Sequence, residues 1–114
     1  MKTNYFKVFE TFLYIETYYD TALSTYILSC QAEMPEWKYI KAFKQLFGET
    51  PKQYILSCRL RRVCDYLITT NYTINKIMKL CGFDSKSYFY KSFKKVYSTT
   101  PGKFKYRQLH ENMV

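Results

Sequence analysis

Sliding the chain along itself produces one persistent match, at an offset of fifty residues. The segment AFKQLFGETPKQY at 42–54 aligns with SFKKVYSTTPGKF at 92–104. Ile27, Lys41, Phe43, Lys44, Thr50 and Pro51 are identical to Ile77, Lys91, Phe93, Lys94, Thr100 and Pro101. Tyr39/Phe89, Leu46/Val96, Phe47/Tyr97 and Tyr54/Phe104 are similar pairs. Self-similarity at a fixed period marks a duplicated structural unit. Two copies are too few for a solenoid, so the repeat points to two related helical subdomains in tandem within 114 residues.

Periodicity reads as helix throughout. Residues 4–19 place Phe6, Phe9, Leu13 and Thr17 along one face, widened by Phe12 and Ile15. A second helix follows Ser24 or Thr25 and runs to about Ala32. A third starts near Pro35, suited to a first helical turn because it lacks an N–H that would go unpaired there. Its inner face is Tyr39, Phe43 and Leu46 or Phe47, and Gly48 stops it. Thr50-Pro51-Lys52-Gln53 is a start signal with a capping-box partner. The helix it opens runs to about Ile68, with Leu56, Leu60, Val63 and Leu67 as its apolar stripe and Arg59, Arg61 and Arg62 on the other face. Thr73 caps a short helix through Leu80, and Gly82-Phe83-Asp84 turns. Asp84 or Ser85 caps the next helix, to about Tyr97, and Thr100-Pro101 starts a last one. The expected fold is all-α, about seven helices and no strand. With only 3 Gly and 3 Pro, the composition argues against a turn-rich sandwich or barrel. An aromatic share of 20% lets a small core be built from few, large side chains.

The charge sorts by half. Residues 1–57 hold six lysines and six acids and are neutral, whereas 58–114 hold twelve Lys/Arg against Asp65, Asp84 and Glu111 and carry the whole net charge of +9. Such an excess suits a polyanionic partner, nucleic acid first and an anionic membrane surface second. No apolar run approaches the ~20 residues that cross a bilayer, and the N-terminus has no signal-peptide pattern. Cys30, Cys58, Cys64 and Cys81 form no CxxC pair, and the single histidine is His110. No metal site and no cofactor are expected; the thiols read as small core residues in a reducing cytoplasm. With no carboxylate pair on an evident scaffold, no Gly-rich phosphate loop and no nucleophile motif, the chain does not read as an enzyme.

A short helix, a tight turn containing glycine and a second helix make the helix-turn-helix plan, and residues 73–97 fit it. In the second helix Phe89, Phe93 and Val96 face inward. The opposite face shows Lys86, Ser87, Tyr90, Lys91 and Lys94. Lys86 and Ser87 lie in the first turn, where a recognition helix meets base edges, and Lys91 lies a turn further on. Lys94 and Lys95 are placed for phosphates, which fix register without reading sequence. The offset implies a second copy at about 24–47, whose outward residues are Trp37, Lys38, Lys41 and Lys44 or Gln45. Trp37 is either an interface residue or a helix–helix packing contact. Glu33 and Glu36 would repel phosphate, making this copy the weaker reader. Lys38, Lys44, Arg61 and Arg62 complete the expected phosphate contacts.

The ordered set F-K-x-x-x-G at 43–48, Y-I-x-x-x-R-L at 54–60, I-x-x-I-x-x-x-C-G-F at 74–83, S-Y-F-x-K-x-F-K-K at 87–95 and T-P-x-x-F at 100–104 resembles the DNA-binding domain of AraC/XylS-type bacterial transcription regulators. The resemblance spans about Leu23 to Arg107. It implies two helix-turn-helix subdomains, 1–50 and 70–114, joined by a central linker helix at 51–69, with recognition helices in successive major-groove segments about 34 Å apart. It also implies a monomer on an asymmetric double-stranded site, activation through contact with RNA polymerase, and a cytoplasmic, nucleoid-associated bacterial protein. With residues 1–22 sufficient only for the first helix, no small-molecule effector domain is expected, as in the stand-alone MarA/SoxS-like members. By position, Trp37, Ile40 and Lys41 match base-facing sites of the first recognition helix; Lys86, Ser87 and Lys91 match those of the second, with Tyr88 a further contact. Pro35 replaces the usual Ser, Val63 and Met78 replace usual alanines, and Phe104-Lys105 replaces Tyr-Arg. Ile40 touches a thymine methyl or packs inward. The expectation from another class is a protein-interaction module that docks RNA polymerase or another regulator and scarcely reads DNA.

Overall fold

The computed structural model describes residues 3–111, so the outermost ends of the expected 1–50 and 70–114 ranges lie outside the described residues. The described residues form seven helices: α1 (Tyr5–Tyr18), α2 (Thr25–Gln31), α3 (Glu36–Phe47), α4 (Pro51–Thr69), α5 (Ile74–Leu80), α6 (Lys86–Tyr97) and α7 (Pro101–Glu111). Their ends are set locally. Ser24, Thr73 and Ser85 each accept a hydrogen bond from the backbone N–H three residues on, which satisfies a donor that the helix itself leaves unpaired. At α4, Thr50 Oγ1 accepts from the Gln53 N–H at 3.2 Å while Gln53 Oε1 accepts from the Thr50 N–H at 2.9 Å, a complete capping box. Gly48 closes α3 in the left-handed region at φ 80°. Pro35 is the N-cap of α3 rather than a residue of its first turn: its ψ of 146° is extended.

The chain divides into two units within α4, between Cys58 and Arg59. The central helix α4 spans this boundary, Pro51–Cys58 belonging to the first unit and Arg59–Thr69 to the second. In the first unit α1 packs on α2 and α3. Its core is Val8, Ile15, Leu28, Ala32, Tyr39, Ala42 and Phe43, closed by Tyr54, Ile55 and Cys58 of α4. In the second unit α6 packs on α7, and Leu60, Val63, Leu67, Ile77, Met78, Phe83, Phe89 and Phe93 are buried.

The duplication is more complete than a single offset conveys. From α3 and α6 onward the offset is fifty, but the caps of α2 and α5, Ser24 and Thr73, are forty-nine apart. The turn of the second unit is one residue longer. Leu28, not Ile27, therefore corresponds to Ile77: both are fully buried, whereas Ile27 is 48% exposed. The identity of Ile27 with Ile77 is coincidental. A third register, fifty-two, relates α1 to the second part of α4: Val8, Thr11 and Ile15 are buried as Leu60, Val63 and Leu67 are.

Aromatic side chains occupy matching places in both units. Phe43, Phe47 and Tyr54 form a ring cluster in the first, with Phe43 and Phe47 centroids 4.7 Å apart. Phe93, Tyr97 and Phe104, their fifty-residue counterparts, form another, with Phe93 and Tyr97 also 4.7 Å apart. Phe12 stacks on Phe47 at 4.2 Å and on Tyr54 at 4.6 Å. Its counterpart at offset fifty-two is Cys64, which hydrogen-bonds Tyr97. Burial pushes both the Cys64 thiol and the Tyr97 phenol up from their ordinary ranges.

Four inward assignments change. The buried stripe of α1 is Val8, Thr11 and Ile15, while Phe6 is 70% exposed and Phe9, Leu13 and Thr17 also face out. Both stripes have the same helical spacing, so periodicity does not choose between them. The branched stripe is the one set against α2 and α3, with Val8 and Ile15 in the core and Thr11 meeting the Tyr39 hydroxyl. On α3 and α6, Phe47 and Tyr97 turn inward; Leu46 and Val96 do not, and Val96 is 55% exposed. Leu56 is only partly covered, its place taken by Ile55 and Cys58. Finally, Cys30 is exposed on α2, so only Cys58 and Cys81 are fully core thiols.

Candidate nucleic-acid interface

Both helix-turn-helix corners are built by the same hydrogen bonds. In the second unit the Gly82 N–H donates to Lys79 O and the Phe83 N–H to Met78 O, both at 3.1 Å. In the first, the Glu33 N–H donates to Cys30 O and the Met34 N–H to Ser29 O, both at 3.0 Å. This paired pattern is the Schellman closure, which needs its middle residue at positive φ. Gly82 takes φ 90° without a side-chain penalty, whereas Glu33 is held at φ 56°, a region most L-residues avoid. The apolar residue that follows packs into each angle: Phe83 is buried 5.1 Å from the Phe89 ring, and Met34 lies against the first core.

These corners aim α3 and α6. On α6, Lys86, Ser87, Tyr88, Lys91, Lys94 and Lys95 are all exposed, while Phe89, Ser92 and Phe93 face the core. On α3, Trp37, Lys41 and Lys44 are exposed, and Lys38 and Ile40 are half-buried. Trp37 is 69% exposed, which removes the helix-packing alternative. Ile40 is half-buried, with part of its surface accessible. Each unit thus brings its expected base-facing residues onto one helix.

The cations are not equally available. Arg62 lies 4.5 Å over the Tyr66 ring and 3.7 Å from Asp65, so it is held along its own helix; Arg61 is exposed. Arg59 sits 6.0 Å over Phe83, Lys76 lies 4.0 Å over Tyr72, and Lys105 Nζ donates to Thr70 O at 3.1 Å beyond the C-terminal end of α4. The lysines of α6 make no such contacts to the described residues, leaving α6 as the most open cationic face of its unit.

In the first unit, Lys7 of α1 forms an ion pair with Glu33 across the corner. The carboxylate expected to repel phosphate is therefore neutralised by its neighbour. Sequence reasoning had no signal for this pair, because the residues are far apart in the chain and meet only when α1 lies beside the corner. Lys7 and Glu33 also border an open concavity of about 440 Å³ beside Trp37 and Lys38.

The boundary between the units also divides the charge. The first, to Cys58, has six lysines and six acids; the second, from Arg59, has twelve basic residues and three acids. Comparison with known proteins gives a matching frame. The profile of a helix-turn-helix domain matches residues 28–107. The chain belongs to this family, the AraC type. A xylose operon regulatory protein of Escherichia coli (strain K12) is 42% identical over 65 residues, covering 57% of this chain and 17% of that protein. The chain thus spans about a sixth of the length of that curated relative. The DNA-binding domain of AdpA, solved in complex with a target DNA, superposes with a TM-score of 0.84 at 19% identity, covering 89% of this chain and 91% of that one, a likeness of fold. A xylose-binding transcription activator, xylR, superposes with a TM-score of 0.72 at 30% identity, covering 87% of this chain and 26% of that one. The family match begins at residue 28, so α1 lies outside it although it completes the first unit's core. Among the described residues no helix is long and apolar enough to cross a membrane.

Proposed function

We propose that this chain binds double-stranded DNA sequence-specifically and regulates transcription, acting as an activator in the bacterial cytoplasm. Helices α3 and α6 enter successive major-groove segments by their N-terminal turns. Lys86, Ser87, Tyr88 and Lys91 read bases from α6, and Trp37, Ile40 and Lys41 read them from α3. Lys94, Lys95, Lys44, Lys38 and Arg61 hold phosphates; Arg62, occupied by Asp65 and Tyr66, contributes least. One chain suffices for one asymmetric site, and activation proceeds through contact with RNA polymerase. The observation that carries this reading is the pairing of two identically closed corners with an exposed, uncommitted cationic face on α6.

Selection of bound duplexes from a random pool tests it. A single asymmetric consensus, bound with a steep salt dependence, is expected. Salt-sensitive binding without sequence preference would reduce the role to an architectural one. A second reading, a protein-docking module that scarcely reads DNA, draws on the exposed Phe6, Phe9 and Leu13 of α1. It takes over if no duplex is bound at low salt.

A further inference from the structure

We propose that Glu36 is a base-reading residue: its carboxylate accepts a hydrogen bond from the N4 amino group of a cytosine and sets the preference at one position of the site. This inference rests on the DNA-reading function proposed above and adds a residue that repelled rather than read in the simpler electrostatic picture.

The two reading helices align residue for residue, because each follows its own cap, Pro35 or Ser85, and each ends at a left-handed residue, Gly48 or Ser98. Glu36 and Lys86 are consequently the same position, the first residue of each helix. A recognition helix meets base edges with its N-terminal residues. The position that carries a cation on α6 thus carries an anion on α3, and Glu36 is exposed there.

The other acid at this corner, Glu33, is held by Lys7. Glu36 forms no ion pair or hydrogen bond with the described residues. The side chain is therefore uncommitted. An ionised carboxylate only accepts hydrogen bonds. In the major groove guanine offers the acceptors N7 and O6, and thymine offers O4 and a methyl group; neither has a donor for it. Adenine offers its N6 amino group beside the N7 acceptor, which opposes a carboxylate, whereas cytosine offers an amino group alone. Lys86, at the equivalent place in the other half, suits guanine. The charge reversal between the repeats gives two half-sites of different sequence from one structural plan.

The test compares selected consensus sequences for the wild-type chain, Glu36→Ala, Glu36→Gln and Glu36→Lys, with circular dichroism confirming helical content. Glu36→Ala is expected to abolish a cytosine preference at one position, with discrimination there falling roughly tenfold. The same variant binds random duplex more tightly, because an anion near phosphate is gone. Glu36→Lys is expected to convert that position to guanine. The inference is overturned if Glu36→Ala tightens binding to all sequences equally while every position of the consensus is unchanged, or if the position it alters prefers a base other than cytosine in the wild type. Absence of any consensus for the wild-type chain would instead overturn the DNA-reading function itself.

Discussion

The Thr11 Oγ1 and Tyr39 hydroxyl oxygens lie 2.8 Å apart in the first core, and the corresponding residues of the second unit, Val63 and Phe89, form no such bond because neither has a hydroxyl. Thr11 also donates to Val8 O at 2.6 Å, which uses its only proton and makes the phenol the donor between the two. One unit carries a polar pair where the other carries its apolar near-isostere. Val63, at a position where the family resemblance expects alanine, is thus the partner of a phenylalanine that lacks the oxygen of Tyr39.

The direction of that bond makes the two deletions unequal. Thr11→Val strands a buried phenol and is expected to cost about 1–3 kcal/mol, whereas Tyr39→Phe leaves Thr11 bonded to Val8 O and costs about 1 kcal/mol or less. The double variant reproduces the pair of the second unit and should recover most of the loss of Thr11→Val. Urea unfolding of the three variants measures this; an additive double variant would show that the two hydroxyls do not interact.

Alkaline pH should act through the same group. Burial pushes the Tyr39 phenol up from 10.0 to about 12, against the smaller downward effect of Thr11. The folded state holds this proton more tightly than the unfolded chain does, so the contribution is complete below pH 10 and is lost as pH rises toward 12. The melting temperature should fall across this window, and Tyr39→Phe should flatten the fall. An unchanged slope in that variant would assign the loss elsewhere, with Tyr97, also raised by burial, the next residue to replace.

Gly48 and Ser98 are counterparts that close α3 and α6 at φ 80° and 60°. A Cβ on Gly48 would meet nothing within 4 Å, so only backbone strain distinguishes the residues there. Ser98→Gly is expected to stabilise by about 0.5–1 kcal/mol and Gly48→Ala to destabilise by about 1 kcal/mol. Thermal denaturation with opposite shifts for the two variants checks both.

On DNA, the lysines should separate by their commitments. Lys94→Ala and Lys95→Ala should each reduce the slope of log affinity against log salt by about one. Lys105→Ala, which removes the hydrogen bond to Thr70 O, should lower the melting temperature while leaving that slope unchanged. Lys86→Ala and Lys91→Ala should cost more specific binding than Trp37→Ala or Lys41→Ala. Equal losses in a shift assay would show that the neutral unit reads as strongly as the basic one.

Much of this was legible in the residues. Caps and stops depend on a few neighbours, so Thr50 with Gln53, Thr73 and Gly48 marked helix ends that the structure contains, and of the pairs Ser24 or Thr25 and Asp84 or Ser85 the serines are the caps. The outward lysines of α6 followed from the inward Phe89 and Phe93. Roles on DNA were a different matter: placement on one exposed face could be anticipated, but which cations stay open depends on neighbours brought in by folding, such as Asp65 and Tyr66 beside Arg62 or Thr70 beneath Lys105.

The sequence by itself determined the helices, the duplication and the separation of charge, because each is written in neighbouring residues or in composition. Tertiary structure decided which of two equally spaced stripes of α1 is buried, that Leu28 rather than Ile27 answers to Ile77, and that Glu33 is paired with Lys7 while Glu36 is not. Those outcomes depend on the volume and the partners that other helices present across the core. A helical period records that a face is apolar; it does not record what will be packed against it.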